Sequence, residues 1–573
     1  MGSLKKLKKI AVIVNNRHSR RVTTVYFLFL SLFIVISLKI IYLQVFKSRF
    51  LKSRAKKQHY SLIRLEGKRG NIIDSRQRIL ATGINYYSIF ADPSVITDRE
   101  TVARVLSSEL NLSKKFLLSR LGRKKKFVWI KRKVSLDEKE KLESFNLKGI
   151  GFIREEKRFY PQDTLFSSAL GIVDIDNKGL EGLELFYNSY LDGKDGWTRV
   201  LQDSASRKVI LSTQIVTPQR GADIILTVDA QIQYLTEKYL QETVKDFDAK
   251  SGSAVVMVAS GGEILALANY PSFNPNRVGA IIPGSMRNGA ISDMFEPGSV
   301  FKVVTLLAAV NENKFSDTDK FFCENGSFKI PGTILHDWKP YAELSFKEVF
   351  MKSSNIGVAK IASSLGSEVF SRYLKLLGLG QLTGIDLPAE TKGALKPLRK
   401  WSKTSAYIIP IGQEIGVNLL QLARVFAVVV NGGYLVKPYI VKDVCSQGFC
   451  RGRHPVRKRI FSASSAQRAK NILIKVVKNG TGKRAAVMDR EIGGKTGTAQ
   501  KYDSKLKKYS SSKYRATFVG FIADISPPLV IAITVDEPKK SHFGGVVAAP
   551  AFKKIAQGII KYIETSKHLA QKQ

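Results

Sequence analysis

"YRATFVGFIADISPPLVIAITVDE", residues 514–537, holds two apolar runs of strand length around a Pro-Pro pair. Proline gives a ladder no donor, so the pair reads as the turn that folds one run back on the other. Far upstream, "GSAVVMVAS" (252–260) and "EILALANY" (263–270) repeat the pattern around Gly261-Gly262, a hairpin signal. Between these pairs lie several stretches with apolar residues at helical spacing, running through Ala427, and "AFKKIAQGIIKYIET" (551–565) adds a last helix. Strands at both ends with helices between them describe an α+β domain: one antiparallel sheet assembled from the two ends, with a helical subdomain inserted.

Working outward, "TPQRGADIILTVDAQIQYLTEKYL" (217–240) passes from a turn signal through the strand-like "DIILTV" into a helix, and marks where this domain begins. The expected organisation is a tail at 1–21, a membrane-spanning helix at 22–46, a mixed domain at 47–215 and the sheet-and-helix domain at 216–573. The spanning helix rests on "VTTVYFLFLSLFIVISLKIIYLQVF" (22–46), uncharged except for Lys39 and longer than the ~20 residues a bilayer requires. A cleaved signal peptide would have a shorter apolar core and a small-residue cleavage site. Lysines and arginines flank both ends, so the positive-inside rule barely discriminates. The short tail before a very large domain points to a signal-anchor with the bulk outside.

The 573 residues carry 92 Lys and Arg against 48 Asp and Glu, a net charge of +44. Such an excess calls for an acidic partner or surface. Runs such as "RKKKFVWIKRK" (123–133) and "RGRHPVRKR" (451–459) are separate, with no zinc-finger or ribonucleoprotein signature, which argues against nucleic acid. There are three cysteines: Cys445 and Cys450 are close enough to close a small loop if oxidised, and Cys323 stands alone. The six scattered histidines build no four-ligand metal set, and no cofactor is expected.

Chemistry enters at "FEPGSVFKVV" (295–304), where a Pro-Gly turn opens an apolar helix carrying Ser299 and, three places on, Lys302. Positions i and i+3 share a helix face, so the amine is placed to reach the serine oxygen as a base beside a nucleophile. A lysine serves as base only if burial or another cation lowers its pKa from about 10.4. The same Ser-x-x-Lys spacing begins at Ser3, Ser53, Ser504 and Ser510, all in polar, lysine-rich surroundings; only at Ser299 does an apolar helix follow. The plainer reading of Ser299 is a capping serine beside a snorkelling lysine.

Two further stretches add the remaining roles. "MKSSNIGVAK" (351–360) offers Ser353, whose hydroxyl is suited to relay a proton, and Asn355, whose amide both donates and accepts. "IGGKTGTAQ" (492–500) places Lys495, Thr496, Gly497 and Thr498 on a strand. Alternation turns Thr496 and Thr498 to one face, and Gly497 is expected to let a substrate backbone lie close. The Lys495 amine is expected to attract a substrate carboxylate and to help keep Lys302 neutral, with the N–H groups of Ser299 and Thr498 as an oxyanion hole.

Ser-x-x-Lys, Ser-x-Asn and Lys-Thr-Gly in this order resemble the penicillin-binding proteins and serine β-lactamases. The likeness is to the class B penicillin-binding proteins and, within them, to the division-specific branch. It extends through "RGNIID", "RFYP", "GLEGLE", "TGIDLPAE", "NGGYLVKP" and "GGVVAAPAF", from about residue 69 to 552. The resemblance implies a single-pass protein of the bacterial inner membrane, with a non-catalytic, dimerisation-type pedestal at 47–215 and a transpeptidase domain in the periplasm or otherwise outside the membrane. It implies that Ser299 attacks the penultimate D-alanine carbonyl of a peptidoglycan stem peptide, that a second stem's amine resolves the acyl-enzyme, and that β-lactams acylate the same serine. Partners implied are stem peptides, β-lactams, membrane lipid, and a polytopic glycosyltransferase among other division proteins, with no nucleic acid. An elongation-specific transpeptidase, a β-lactam sensor and a β-lactamase are the alternatives. The sequence departs from the family pattern at Ser75 and Gln77 within "RGNIIDSRQRILA", and at Glu414 and Asn418 within "IIPIGQEIGVNLLQLA".

Overall fold

A computed structural model describes residues 2–52, 60–202, 208–209, 216–503 and 508–570. The expected domain limit at 215 and the serines Ser53 and Ser504 lie outside the described residues. The chain forms two compact units, one of Met1–Gly67 with Lys194–Gln219 and one of Lys68–Gly193 with Arg220–Gln573.

In the first unit, helix α1 (Gly2–Ile41) continues as a helical turn through Phe46. Its segment Ser19–Phe46 is long and apolar enough to cross a membrane, and none of it is buried by protein. The strand Tyr60–Leu65 pairs with Gly196–Gln202, which pairs in turn with Lys208–Val209.

Among the described residues the second unit contains two large sheets, besides three two-stranded ones. The larger takes β1 (Ile72–Ile73), β2 (Ile79–Ala91), β3 (Val128–Val134), β4 (Ile150–Phe159) and β5 (Asp223–Leu226), together with β8 (Val441–Ser446) and β9 (Phe449–Gly452) from the far end of the chain. Its order is β9-β8-β5-β1-β2-β3, with β4 also on β2. The second is the sheet expected from the two apolar pairs, β6 (Ser251–Val258) with β7 (Ile264–Tyr270) and β11 (Lys508–Ile522) with β12 (Leu529–Asp536), extended at one edge by β10 (Ile492–Asp503); it is ordered β7-β6-β12-β11-β10 and antiparallel throughout.

Every residue of β12 is buried because both faces of this sheet are covered. Ile531, Ile533 and Val535 enter one core cluster, with α2 (Ala230–Asp246) and the terminal helix. Val530 and Ala532 enter the other, with α3 (Lys302–Asn311), α5 (Asn355–Leu365), α6 (Ser367–Leu376) and α7 (Leu419–Val430). Between α3 and α5 lies α4 (Phe346–Lys352); α8 (Ala463–Asn479) follows α7. The terminal helix, α9, runs from Gly544 to Ala570, longer than the expected 551–565 at both ends, with Pro550 inside its second turn. There a missing N–H and a ring clash are tolerated better than deeper in a helix.

The unusual positions have local reasons. Asn418 caps α7 reciprocally: its Oδ1 accepts from Gln421 N at 2.7 Å while Gln421 Oε1 accepts from Asn418 N at 3.0 Å. Gln77 sits at φ 65°, in a turn where Asp74 Oδ1 accepts from the N–H groups of Arg76 and Arg78 at 2.8 Å each. That left-handed conformation is the one glycine adopts without penalty, so glutamine is held there by the turn's bonds. Cys445 and Cys450 face each other on β8 and β9 and are joined as a disulfide.

Three of the quoted stretches meet at one buried carboxylate. Glu184 of "GLEGLE" accepts from Arg69 Nε of "RGNIID" at 2.8 Å and from Arg158 Nε of "RFYP" at 2.6 Å, with all three residues at most 4% exposed. Removing one partner of a buried ion cluster leaves uncompensated charge. Glu184→Ala is expected to cost about 3–5 kcal/mol of folding stability, read as a lowered thermal midpoint; an unchanged midpoint would remove the cluster from the account of this fold.

Candidate active site

The turn before Ser299 is set by its glycines. Gly298 has φ 55° and donates its N–H to Gly412 O at 3.1 Å, while a Cβ on Gly412 would lie 2.1 Å from Gly298 O. The turn is thus pressed onto the loop ending at Gly412, which fixes where the helix starts. Ser299 stays half-buried in the one-turn helix Gly298–Phe301, and Lys302, first residue of α3, is fully buried. Its whole helix as far as Val310 is buried, as the apolar run after Ser299 leads one to expect.

The Lys302 amine does not bond Ser299, contrary to the expected i, i+3 contact. It donates to Ser353 O at 2.6 Å, Asn355 Oδ1 at 2.7 Å and Ser353 Oγ at 3.3 Å, and Ser299 Oγ makes no hydrogen bond among the described residues. Lys495 Nζ approaches Ser353 Oγ from the other side at 2.8 Å and reaches Thr496 O at 3.2 Å. Ser353 therefore stands between two buried amines, at φ 61° in the left-handed region, a strained position for a residue with a Cβ. Burial pushes Lys302 down to about 7, opposed by the charge of Asp337. Lys495 is also lowered well below its ordinary value, by burial first and by the neighbouring Lys302 second. The physical cause of a neutral Lys302 is thus desolvation. Lys495, only 1% exposed, spends its amine on Ser353 and its own strand rather than presenting it to an incoming carboxylate as expected.

Asp337 has no spacing to Ser353 or Asn355 that marks it in the sequence. Its Oδ1 accepts from Asn355 N and, at 3.2 Å, from Ile356 N, and its Oδ2 accepts from Ser354 Oγ at 2.6 Å. It satisfies the free N–H groups at the start of α5 and so orients Asn355. Asn355 Nδ2 donates to His336 O at 2.8 Å, which turns its Oδ1 toward Lys302.

On β10 the side chains alternate as expected, but the roles of the faces differ. A Cβ on Gly497 would lie 2.7 Å from Val300 Cγ2 and 2.8 Å from Pro297 O. The glycine makes room for the serine turn itself, not for a substrate backbone. Thr496 Oγ1 and Thr498 Oγ1 bond Thr481 Oγ1 at 3.1 Å and Gly544 N at 3.0 Å. Of the other Ser-x-x-Lys serines, Ser510 accepts from Lys513 N at 3.1 Å, an exposed turn contact of the plain kind.

Beside the serine turn lies a cavity of about 670 Å³ whose lining includes Phe295, Glu296, Glu414, Lys501, Tyr509 and Arg515. Burial pushes the Glu296 carboxyl up, while Glu414 N donates to it at 2.9 Å and Tyr509 OH at 3.1 Å.

A family model described as the penicillin binding protein transpeptidase domain matches residues 252–557, and one described as the penicillin-binding protein dimerisation domain matches 64–226. The chain is 34% identical over 533 residues to a probable peptidoglycan D,D-transpeptidase PenA of Neisseria gonorrhoeae, covering 92% of this chain and 90% of that one. It is 30% identical over 573 residues to the peptidoglycan D,D-transpeptidase FtsI of Buchnera aphidicola, covering 97% and 96%. Among solved structures, penicillin binding protein 3 of Mycobacterium tuberculosis complexed with aztreonam superposes with a TM-score of 0.70 at 28% identity, covering 88% of this chain and 97% of that one.

The close approach at Gly497 yields a direct test. Gly497→Ala is expected to displace the serine turn and to destabilise the protein by about 1–3 kcal/mol, the usual cost of overpacking. Gly279→Ala, where nothing lies within 4 Å of the added carbon, serves as control. Equal thermal midpoints for the two variants would refute the contact.

Proposed function

The chain belongs to the class B penicillin-binding proteins, and from that membership we propose that Ser299 is the nucleophile through which it cross-links peptidoglycan as a D,D-transpeptidase. The observation that carries this assignment is the pair of buried amines that meet at the Ser353 hydroxyl: Lys302, three residues after Ser299 in the chain, and Lys495. An ammonium has no lone pair, so it accepts no proton; a lysine held near pKa 7 is neutral in a large fraction of molecules at neutral pH and does.

In the proposed reaction, the Ser299 oxygen attacks the penultimate D-alanine carbonyl as Lys302 takes its proton. The N–H groups of Ser299 and Thr498 hold the developing oxyanion; the proximity of Gly298 to Thr498 O, which a Cβ at 298 would approach to 2.9 Å, supports this pairing. The proton passes through Ser353 to the departing D-alanine amine, leaving an ester on Ser299. An amine from a second stem peptide attacks that ester and returns the serine. Lys495 positions the Ser353 hydroxyl, and Asn355 holds the Lys302 amine. Thr496 and Thr498 sit on β10, the edge strand along which the peptide lies, and Gly497 admits the serine turn to it. β-Lactams acylate the same oxygen.

The apolar segment Ser19–Phe46 anchors the chain in a membrane, with the catalytic part outside it. That membrane is the bacterial inner membrane; along the chain the anchor is followed by the pedestal, 47–215, and then by the transpeptidase domain, 216–573. Relatives named FtsI support a septal role over an elongation-specific one, with a polytopic glycosyltransferase and other division proteins as partners.

Ser299→Ala is expected to abolish covalent labelling by a fluorescent penicillin, with the wild-type label mapping to the peptide that contains Ser299; a label elsewhere would overturn the assignment. The pH profile tests the base. Because the lowered Lys302 is neutral above its pKa, acylation is expected to rise about tenfold per pH unit below about pH 7 and to level off above it. A rate independent of pH between about 5.5 and 8.5 would exclude Lys302 as the group that takes the proton.

A further inference from the structure

A second cavity, of about 530 Å³, opens among α6, α7 and the short strands Tyr434–Val436 and Arg457–Arg459. It shares no lining residue with the Ser299 site or with the cavity beside it. Arg424 lines it from the middle of α7, a helix whose other residues are apolar except for Gln421. The side chain is 93% buried by its 7% exposure. A buried cation is costly unless paired, and a purely structural arginine ends its guanidinium on carboxylates or carbonyls.

Arg424 does so on one edge only. Its Nε donates to Val436 O at 3.0 Å, whereas Nη1 and Nη2 meet no acceptor and no carboxylate within ion-pair range among the described residues. The neighbouring Gly378, at φ 70°, carries no side chain to cover them; a Cβ there would sit 3.3 Å from Nη1. Burial pushes the guanidinium down to about 10, with the more distant Glu390 opposing, so the group is charged at neutral pH.

The rim adds positive charge. Arg372 and Lys375 share a face of α6 with Glu368, the one carboxylate in the lining among the described residues. Arg372 is engaged with Glu312 at 2.7 Å, but Lys375 and, across the opening, Lys458 have no ion-pair partner among the described residues. Leu382, Leu398 and Leu435 supply apolar wall between the charges.

We propose that this cavity is a binding site for a small oxyanion compound, a carboxylate or a phosphate with an apolar portion, held by the free edge of the Arg424 guanidinium and by Lys375 and Lys458. Two parallel N–H groups of a guanidinium match the two oxygens of either anion.

The test uses full-length protein in detergent, acylated beforehand with benzylpenicillin so that the Ser299 site is filled. Thermal midpoints are recorded against inorganic phosphate, N-acetyl-D-alanyl-D-alanine and, at matched ionic strength, sodium chloride. At least one of the two anions is expected to raise the midpoint beyond chloride, and the double variant Lys375→Gln, Lys458→Gln to weaken its apparent affinity about tenfold. A response to phosphate alone identifies a phosphorylated ligand, and one to the peptide alone a peptide carboxylate. Arg424→Lys keeps the charge without the fork and is expected to weaken binding as well; should it fail to fold, the exposed double variant decides by itself. No response beyond chloride, or a wild-type response in the double variant, overturns the proposal.

Discussion

Two amines without a counter-ion, buried on either side of one hydroxyl, are what the rest of the site depends on. Lys302 and Lys495 have no carboxylate within ion-pair distance among the described residues, and the charge nearest in effect, Asp337, is spent on the N-terminus of α5. Burial without pairing drives a lysine toward its neutral form, which is the form with a lone pair. An acid placed against either amine would stabilise the fold and restore the ammonium. Charge pairing is thus given up for a free lone pair, and the apolar helix behind Lys302 is the means.

Holding that arrangement falls to close backbone contacts. The serine turn is clamped between the loop at Gly412 and strand β10 at Gly497, and β10 is backed in turn by the start of α9, where a Cβ on Gly544 would lie 2.2 Å from Gly497 O. Each clamp is a place where a side chain is missing, and each brings together elements far apart in the chain. The Glu184 cluster does the same in the pedestal region, where the loops around residues 69, 158 and 184 meet at one carboxylate. Strands of both regions also share a sheet, since β1 runs parallel to β5.

Four strands of the five-stranded sheet were legible as two sequence-adjacent pairs with turn residues between them; β10 was legible as a strand, but not its place at the edge of that sheet. Ser299 stood out from four other serines of equal spacing only through the buried helix that follows it. What stayed illegible is contact at long range. Nothing in "HDWKP" marks Asp337, and Gly497 looks like room for a substrate until the serine turn is seen filling that room. The bonding of Lys302 to Ser353 and Asn355 instead of Ser299 depends on how α3 and α5 pack, a relation that i, i+3 spacing on one helix does not encode.

Two lysines at one hydroxyl also bear on how the proposed reaction handles its proton. Acyl transfer needs a base for the incoming serine and, moments later, an acid for the departing amine. Burial lowers both amines, and the charge of Lys302 adds to the lowering of Lys495, so the two resist being protonated together. In the proposed reaction Ser353 bonds both amines at once, so the proton taken by Lys302 travels no farther than one hydroxyl before it is given up. Ser353 offers that hydroxyl from a left-handed backbone position, and a glycine there, though easier on the backbone, would remove the group that both amines bond.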